Sequence, residues 1–579
     1  MEYRLILSKK ELKPYFPQLM QARQLAVDTE TTGLDPHTNR LRLIQLYAKG
    51  LPVLVLDCTS FLPEGKGLLI ELFDEKRVKV FQNAKFDLQF LQANGIGAMP
   101  PVFDTMLAGA LLRSSGGPRS VSMKTLAEYY LDEEVSKEER ATDWSGTLGE
   151  EQLLYAAKDA QITLRLREAL VPHLVKNRLT EVAKLEFDCV FAVAQMEYHG
   201  VFLDMQKWAL LEKKTQQELD QALEQIYQYT GRPVAQTTLW GEEISVGLNL
   251  DSPKQLQEIL HANGIRTDAT SKHALAEYQD HPLVRALLEY RKAAKALNSF
   301  LLPIPQMRNP VTQRLHAHYG QIGAPSGRMS CGGPNIQQIP REHAFRECFC
   351  APQGRTLVIA DYSQIELRVA AEIAGDHRMI AAYRQGQDLH RLTASLVSGK
   401  PLGLITKQER QAAKAINFGL IYSMGAKGLQ AYAQETYGVP MSLEQAERFR
   451  RRFFEAYTGI REWHERIRRN PPRETRTMSG RKNTYPVGKI GISGMYNTPV
   501  QGTAADIAKK ALGMLAQRLP EDTLLIGMVH DEILLEAPEE QGEAMAELLK
   551  STMEEAGACY LKRVPVVAEV SISPDWSGK

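Results

Sequence analysis

Short apolar runs that end on acidic residues recur along a chain whose remaining patterning is largely helical. Leu357–Ala360 reads as a buried strand that delivers Asp361 at its end, and Ile365, Leu367, Val369 and Ala370 then mix with Glu366 and Arg368 as in a helix with one polar side. Leu524–Val529 and Ile533–Leu535 flank His530-Asp531-Glu532, which predicts a strand, a tight acidic turn and a returning strand. Near the start, Leu25–Glu30 predicts a short strand whose period of two puts Asp28 and Glu30 on one face. Arg410, Lys414, Phe418 and Tyr422 recur every four residues, so a helix would carry two cations and two aromatic rings in a single stripe. Elsewhere, residues 1 to about 175 alternate strands and helices, a long polar helix is expected to about 230, and Asp251-Ser252-Pro253 can cap another. Thr503-Ala-Ala-Asp506 has the form of a capping box.

Length adds scale: 579 residues with 44% hydrophobic content can build several cores. Lys+Arg 70 against Asp+Glu 69 leaves +1, so any field that attracts nucleic acid must be local. Arginines do cluster, at 448, 450, 451 and 452 and again at 461, 466, 468 and 469, although a solvated helix face explains them equally well. Six cysteines without a CxxC pair read as reduced thiols. No apolar run of membrane-spanning length occurs, and the first residues lack a secretory pattern, so a soluble intracellular protein is expected.

Each acidic segment alone is as well explained by a solvated turn. Together, a strand-end acid and two hairpin acids can hold two hard divalent cations, and such a pair, roughly 3.5–4 Å apart, stabilises both oxygens of a phosphoryl transfer. The stripe suits a triphosphate at its cationic end and a base or sugar at its aromatic end.

These segments, Asp361-Tyr-Ser-Gln-Ile-Glu-Leu-Arg368, Arg410 to Tyr422 and His530-Asp-Glu532, resemble in order and spacing the three polymerase motifs of family A DNA polymerases, the bacterial DNA polymerase I type. The resemblance implies attack of a primer 3′-OH on a dNTP α-phosphate, with Asp361 and Asp531 as ligands of two Mg²⁺ and Glu532 as an auxiliary acid. It implies that Arg410 and Lys414 meet the phosphates, with His390 and Gln364 nearby, and that Phe418 and Tyr422 pack on the incoming nucleotide. Glu366 would pair with Tyr422 and reject ribonucleotides, and Phe418 in place of Tyr implies poor use of dideoxynucleotides. Arg328 would reach the minor groove at the primer end, and Asn335, Gln337, Asn497, Gln501 and His530 would contact DNA.

Asp28-x-Glu30, Asp87 and Tyr155-xxx-Asp159 resemble the proofreading 3′–5′ exonucleases with four acids and a tyrosine. There the four carboxylates hold two Mg²⁺, or Mn²⁺, and the tyrosine orients the attacking water. Asp104 fits that fold family but is not one of the four. The implied fold is an α/β, ribonuclease H-like domain at 1–175 with a mixed sheet, then an α+β right hand at 176–579. Within the hand, the thumb spans about 195–320, the palm about 321–375 and 490–579, and the fingers about 376–489.

Primed DNA and dNTPs are the implied partners of a monomer in the cytoplasm of a bacterium or phage-infected cell; an organelle is the alternative if a targeting segment has been removed. Full-length relatives carry a 5′ nuclease domain, and since the chain starts almost at the exonuclease motif, nick translation is expected to be missing. Gln338, Ser423 and Ser493 depart from the usual Asn, Gly and Arg, which puts fidelity or processivity in question. Rival readings are a ribonuclease D-like nuclease with a degenerate polymerase region, which the intact stripe opposes, and a reverse-transcribing relative, which nothing excludes. A non-catalytic DNA-binding module would need none of the acids.

Overall fold

The computed structural model describes residues 2–134, 143–231, 234–237, 243–246, 249–485 and 492–578, without the side chains between 232 and 248. The first region is built on a six-stranded mixed sheet: β1 (Tyr3–Ile6), β2 (Gln24–Thr31), β3 (Leu41–Tyr47), β4 (Val53–Asp57), β5 (Val78–Phe81) and β6 (Val102–Asp104), in the order β1-β4-β3-β2-β5-β6. β2 is central, antiparallel to β3 and parallel to β5. Its Leu25, Ala26 and Val27 are fully buried, as expected of a strand covered on both faces. The long helix Glu150–Lys176 packs across it and buries Ala156, Ala157 and Ala160 against the sheet.

The second region is centred on a four-stranded antiparallel sheet in the order Leu524–Val529, Glu532–Pro538, Arg355–Tyr362, Ala568–Ser573. The Leu-Val-Ile-Ala run lies in one of the two inner strands, Arg355–Tyr362 (the inner strand below), and the helix Ile365–Ala374 follows it. Two long helices, Met205–Thr230 and Pro282–Ala296, pack against each other ahead of this sheet with their own small core around Ile226, Leu256 and Leu287. Asp204 caps the first of them, accepting from the Gln206 and Lys207 amides at 2.9 and 3.1 Å. Ser252 is the N-cap of Pro253–Ala262, with the proline in the first turn as its spacing predicts. Between the inner strand and the three strands that complete its sheet, the chain inserts a helical block that includes Lys407–Ile421, Ala426–Tyr437, Leu443–Ala456 and Thr458–Arg469. The expected palm–fingers boundary near 490 lies outside the described residues.

Two expectations fail. Thr503 and Asp506 cap nothing: both are buried inside one helix, Ser493–Arg518, that runs through Pro499. Tertiary partners use those side chains instead. Thr503 Oγ1 accepts from the Met478 amide at 3.0 Å, and Asp506 accepts from Arg481 Nη2 and Ser479 Oγ, both at 2.6 Å. Arg368 is not on a wet face either. It is buried, stacks 4.3 Å over Tyr383 and donates to the Ser363 and Pro565 carbonyls at 2.7 Å each. A planar guanidinium can be buried when its donors are met and its face is covered.

Candidate active sites

Antiparallel register brings the polymerase-motif acids together. Asp361 lies opposite Glu532, and Val529 pairs with Glu532, so His530 and Asp531 form the two-residue turn beside the end of the inner strand. His530 takes the left-handed φ of 60° that such a turn requires. The Tyr362 amide donates to the Asp531 carbonyl at 3.4 Å, which ties the turn to the strand. Glu532 is buried, and its Oε1 accepts from Trp576 Nε1 at 2.5 Å and from Arg346 Nη1 at 3.5 Å. Sequence reading missed both partners, since Trp576 and Arg346 stand far from any motif.

The stripe forms as predicted on Lys407–Ile421, started by a Thr406/Glu409 capping box. Arg410, Lys414, Phe418 and Tyr422 are all half-buried, while Ala413, Ile416, Asn417 and Leu420 face the core. Arg410 Nε pairs with Asp388 Oδ2 at 2.5 Å. Lys414 has no ion pair among the described residues. The hydroxyl of Tyr422 donates to Glu366, as expected, and Glu366 also binds Arg328 through its other oxygen. Burial, then Glu366, holds the Tyr422 hydroxyl protonated well above its usual range.

His390 is buried behind the stripe, 5.9 Å from the Phe418 ring. Burial lowers its pKa to about 4, so the ring is neutral. Asn417 Nδ2 donates to its Nδ1 at 2.9 Å, and Thr393 fixes Asn417 by donating to Oδ1 at 2.9 Å. The imidazole proton therefore sits on Nε2. Gln364, at a left-handed φ of 57°, begins the helix after Asp361, and Tyr383 donates to its Oε1 at 3.2 Å.

One small cavity is walled by Arg328, Gln337, Glu366, His530 and Asp531, uniting candidates from three separate segments. Desolvation, then Arg328 and Arg341, lowers the His530 pKa. Asn335 caps a short turn by accepting from the Gln337 amide at 3.2 Å. Gln501 lies by the Tyr422 hydroxyl, with Asn497 one helical turn before it. Beneath this site Lys509 and Arg481 both reach the fully buried Glu186, Lys509 at 2.6 Å, a cluster no motif announced. Gln338 and Ser493 are exposed, and Ser493 is the first residue of its helix. Lys292 and Lys295 are exposed too, Lys292 lying 3.3 Å from Glu342.

In the first region Asp28 and Glu30 share a face of β2, Asp87 lies in the first turn of the helix Ala84–Ala93, and Tyr155 and Asp159 lie one turn apart on Glu150–Lys176. Burial and then the carboxylates of Asp87, Glu30 and Asp159 raise the Asp28 pKa well above its usual value. Burial pushes Asp87 up to about 8, although Thr29 Oγ1 donates to it at 2.7 Å. Tyr155 is held protonated by burial and by Asp159. Asp104 accepts from the amides of Ala84 and Met106 at 2.8 Å, Leu107 at 3.1 Å and Asn83 at 3.3 Å. It caps one helix and steadies the start of the one that carries Asp87.

Among the described residues no group of three or more Asp, Glu, His or Cys side chains forms a ready-made metal cage. The donor chemistry nonetheless fits a hard cation: carboxylate oxygens only, and in the first region so close that they disfavour one another's charge. Mg²⁺ is typically held by one or two carboxylates, with water and substrate phosphates completing its shell, so a complete protein cage is not expected.

The model of DNA polymerase family A matches residues 205–578, and that of a 3′–5′ exonuclease matches residues 3–175. DNA polymerase I of Aquifex aeolicus is 34% identical, with 100% of both chains covered. DNA polymerase I of Pseudomonas aeruginosa is 31% identical over 99% of this chain, which spans 66% of that relative. Among solved structures, the polymerase domain of Pol1 from M. smegmatis, in complex with DNA primer-template and dNTP, superposes with a TM-score of 0.82 at 25% identity, covering 99% of each chain. Motif geometry and matches agree that the chain belongs to DNA polymerase family A, with a 3′–5′ exonuclease domain ahead of the polymerase domain.

Proposed function

We propose that the chain adds dNTPs to a primer 3′-OH on a DNA template at the Asp361/Asp531 site, and removes 3′-terminal nucleotides at the Asp28/Glu30/Asp87/Asp159 site. The observation that carries the reading is the meeting of Asp361 with the Asp531–Glu532 turn, linked through Glu366 and Tyr422 to a cationic and aromatic stripe. Family A polymerase and exonuclease domains generally use divalent metals. We assign Asp361 and Asp531 to two Mg²⁺ and the four carboxylates of the first domain to two more, Mn²⁺ being the alternative. When bound, such ions activate the attacking oxygen and neutralise developing charge.

The chain's own groups do the positioning. Arg410, oriented by Asp388, and Lys414 face the triphosphate, and Lys414 gives a proton to the leaving pyrophosphate. His390 offers its Nε2–H to a phosphate oxygen because Asn417 occupies its Nδ1. Phe418 and Tyr422 cover the base and sugar, with Gln364 beside them. Glu366, locked between Tyr422 and Arg328, fills the space a ribose 2′-OH would need. Arg328, Asn335, Gln337, Asn497, Gln501 and His530 line the DNA side; acceptors in the minor groove are alike for all pairs, so an Arg328 contact there checks shape rather than sequence. In the first domain Tyr155, protonated throughout the physiological range, orients the attacking water.

Primed DNA and dNTPs are thus the partners we assign, acting on a monomer. Free thiols at all six cysteines and bacterial relatives fit a cytoplasmic enzyme. The test is a 5′-labelled primer on a longer template with Mg²⁺. Extension with dNTPs and shortening without them are expected; shortening alone would remove the polymerase assignment.

A further inference from the structure

A cavity of about 330 Å³, lined by none of the residues assigned above to catalysis or DNA, opens where three segments meet. The end of the helix Thr105–Leu112 and the turn Arg113–Ser115 form one wall, residues 322–325 a second, and Arg481 with the strand Lys482–Thr484 the third. It therefore lies between the exonuclease domain and the polymerase domain. No acidic side chain lines it among the described residues. Arg481 is only 3% exposed; Asp506 and Glu186 accept from its Nε and Nη2, yet its Nη1 is buried without an acceptor among the described residues. Asn483 Nδ2 is a second buried donor in the same state. Leaving buried donors unmet is costly, so two in one cavity point to an acceptor that fills it.

Charge narrows the choice to an anion. Glu186 and Asp506 balance Arg481 and Lys509 in the buried cluster behind the cavity. Lys482 lies 3.1 Å from Glu474, but Arg476 shares that carboxylate at 3.2 Å, and the exposed Arg113 has no ion pair among the described residues. About two positive charges thus stay uncompensated around the opening. Carbonyls at the helix end, which would repel an anion, are already met: Ser114 Oγ donates to Leu111 at 3.1 Å and the Gly117 amide to Leu112 at 3.0 Å. Planar guanidiniums and amide donors suit a phosphate dianion. The space is several times what a phosphate alone fills, and Ala110, Leu111, Ile322 and Pro325 give it an apolar side that suits a nucleoside body.

We propose that this cavity binds a nucleoside 5′-monophosphate, its phosphate held by Arg481 Nη1, Asn483 Nδ2 and Arg113 and its nucleoside set against the apolar side. The ligand is of the class that 3′–5′ digestion releases, so the exonuclease reading supplies its source, although the site itself does not rest on that reading. A bound monophosphate would bridge Arg113 of the first domain to Arg481 and Asn483 of the second.

The test is calorimetric titration of the full chain with dTMP, thymidine and inorganic phosphate in chelator, where the crowded carboxylates of the exonuclease domain repel a dianion. One dTMP is expected per chain, with inorganic phosphate about tenfold weaker because it leaves the apolar side unfilled, and thymidine at least about a hundredfold weaker. Arg113→Ala and Asn483→Ala should each cost about tenfold in dTMP affinity, the size of one charge-assisted hydrogen bond. Arg481 is spared because it holds the buried cluster. Both variants should extend and digest primers within about twofold of wild type. No binding of dTMP, or binding that neither variant weakens, overturns the proposal and leaves water on the two donors. Phosphate as tight as dTMP overturns the nucleoside half and assigns the cavity to inorganic phosphate. Competition between dTMP and primer–template would put the cavity on the DNA path and overturn it as well. Binding of dTMP by a chain that fails to shorten a primer with Mg²⁺ would instead sink the exonuclease reading and leave the site standing.

Discussion

In the first domain Asp28 sits among Glu30, Asp87 and Asp159, and burial in that company drives its pKa upward; in the second, Glu366 and Glu532 each meet an arginine. Both places gather carboxylates to which we assign phosphoryl chemistry, yet they handle charge in different ways. The first accumulates like charge that only a proton or a cation can relieve. The second meets Glu366 and Glu532 with arginines and carries Arg410 and Lys414 on the stripe helix, so part of its geometry is set before a metal or nucleotide arrives. An acidic site that is strained without its ions and one whose Glu366 and Glu532 are already paired should respond differently to metal, pH and mutation.

The sharpest way to break the comparison is to remove one acid from each site. Asp361→Ala should lower extension by about a thousandfold or more while digestion of a single strand stays intact, and Asp28→Ala should do the reverse. That size corresponds to several kcal/mol of lost charge stabilisation in the transition state. Gel assays of both activities on both variants decide it. Loss of both activities in one well-folded variant would mean the sites are not independent.

Metal removal sharpens the contrast. A buried carboxyl with a raised pKa keeps in the folded state a proton that the unfolded chain has already released. Its stabilising effect is complete below the unfolded value of about 4 and is lost as pH rises towards the folded one. For Asp87, raised to about 8, that window runs from about pH 4 to about 8. In chelator, the thermal stability of the first domain should therefore fall from pH 5 to 8, and Mg²⁺ should restore most of the loss at pH 8. Asp87→Asn should flatten the profile. A metal-free unfolding temperature that does not move with pH would contradict the strained-site description.

A smaller effect is expected at Glu366. Glu366→Ala leaves Tyr422 and Arg328 without their shared acceptor and opens space beside the sugar. Discrimination against ribonucleotides, read as the ratio of kcat/KM values, should fall roughly 10- to 100-fold, the range a single small group commands in a shaped pocket. Exonuclease rates should not change.

Legibility in the sequence followed the same division. Strand-borne and helix-borne acids were readable because period and position alone place Asp28 with Glu30, Asp361 at a strand end, and Arg410 to Tyr422 on a stripe. What binds those acids was not readable. Trp576 and Arg346 on Glu532, Arg328 on Glu366 and Thr29 on Asp87 come from distant segments, and their chemistry appears only after folding. The failure at Thr503 and Asp506 has the same source: a local cap signal lost to Arg481, Ser479 and Met478, which reach in from a neighbouring segment. Local pattern placed the groups that act, and tertiary structure chose the groups that hold them.

The finest probe is Ser423, at the joint between the stripe and the helix Thr458–Arg469. Its φ of 63° lies in the left-handed region, where a residue with a Cβ costs about 1–2 kcal/mol that glycine avoids. Its hydroxyl accepts from Arg468 at 2.7 Å. Arg468 is exposed, so that bond contributes about 1 kcal/mol, near the cost of the conformation. The two effects nearly cancel in Ser423→Gly, and the unfolding temperature should move by no more than about 3 °C. Ser423→Ala removes the bond but keeps the Cβ, so it should be the less stable of the two by about 1 kcal/mol. Comparing the pair in one thermal series separates strain from bond. If alanine matches serine, the Arg468 contact contributes nothing, and the joint is held by His464 on the Ile421 carbonyl instead.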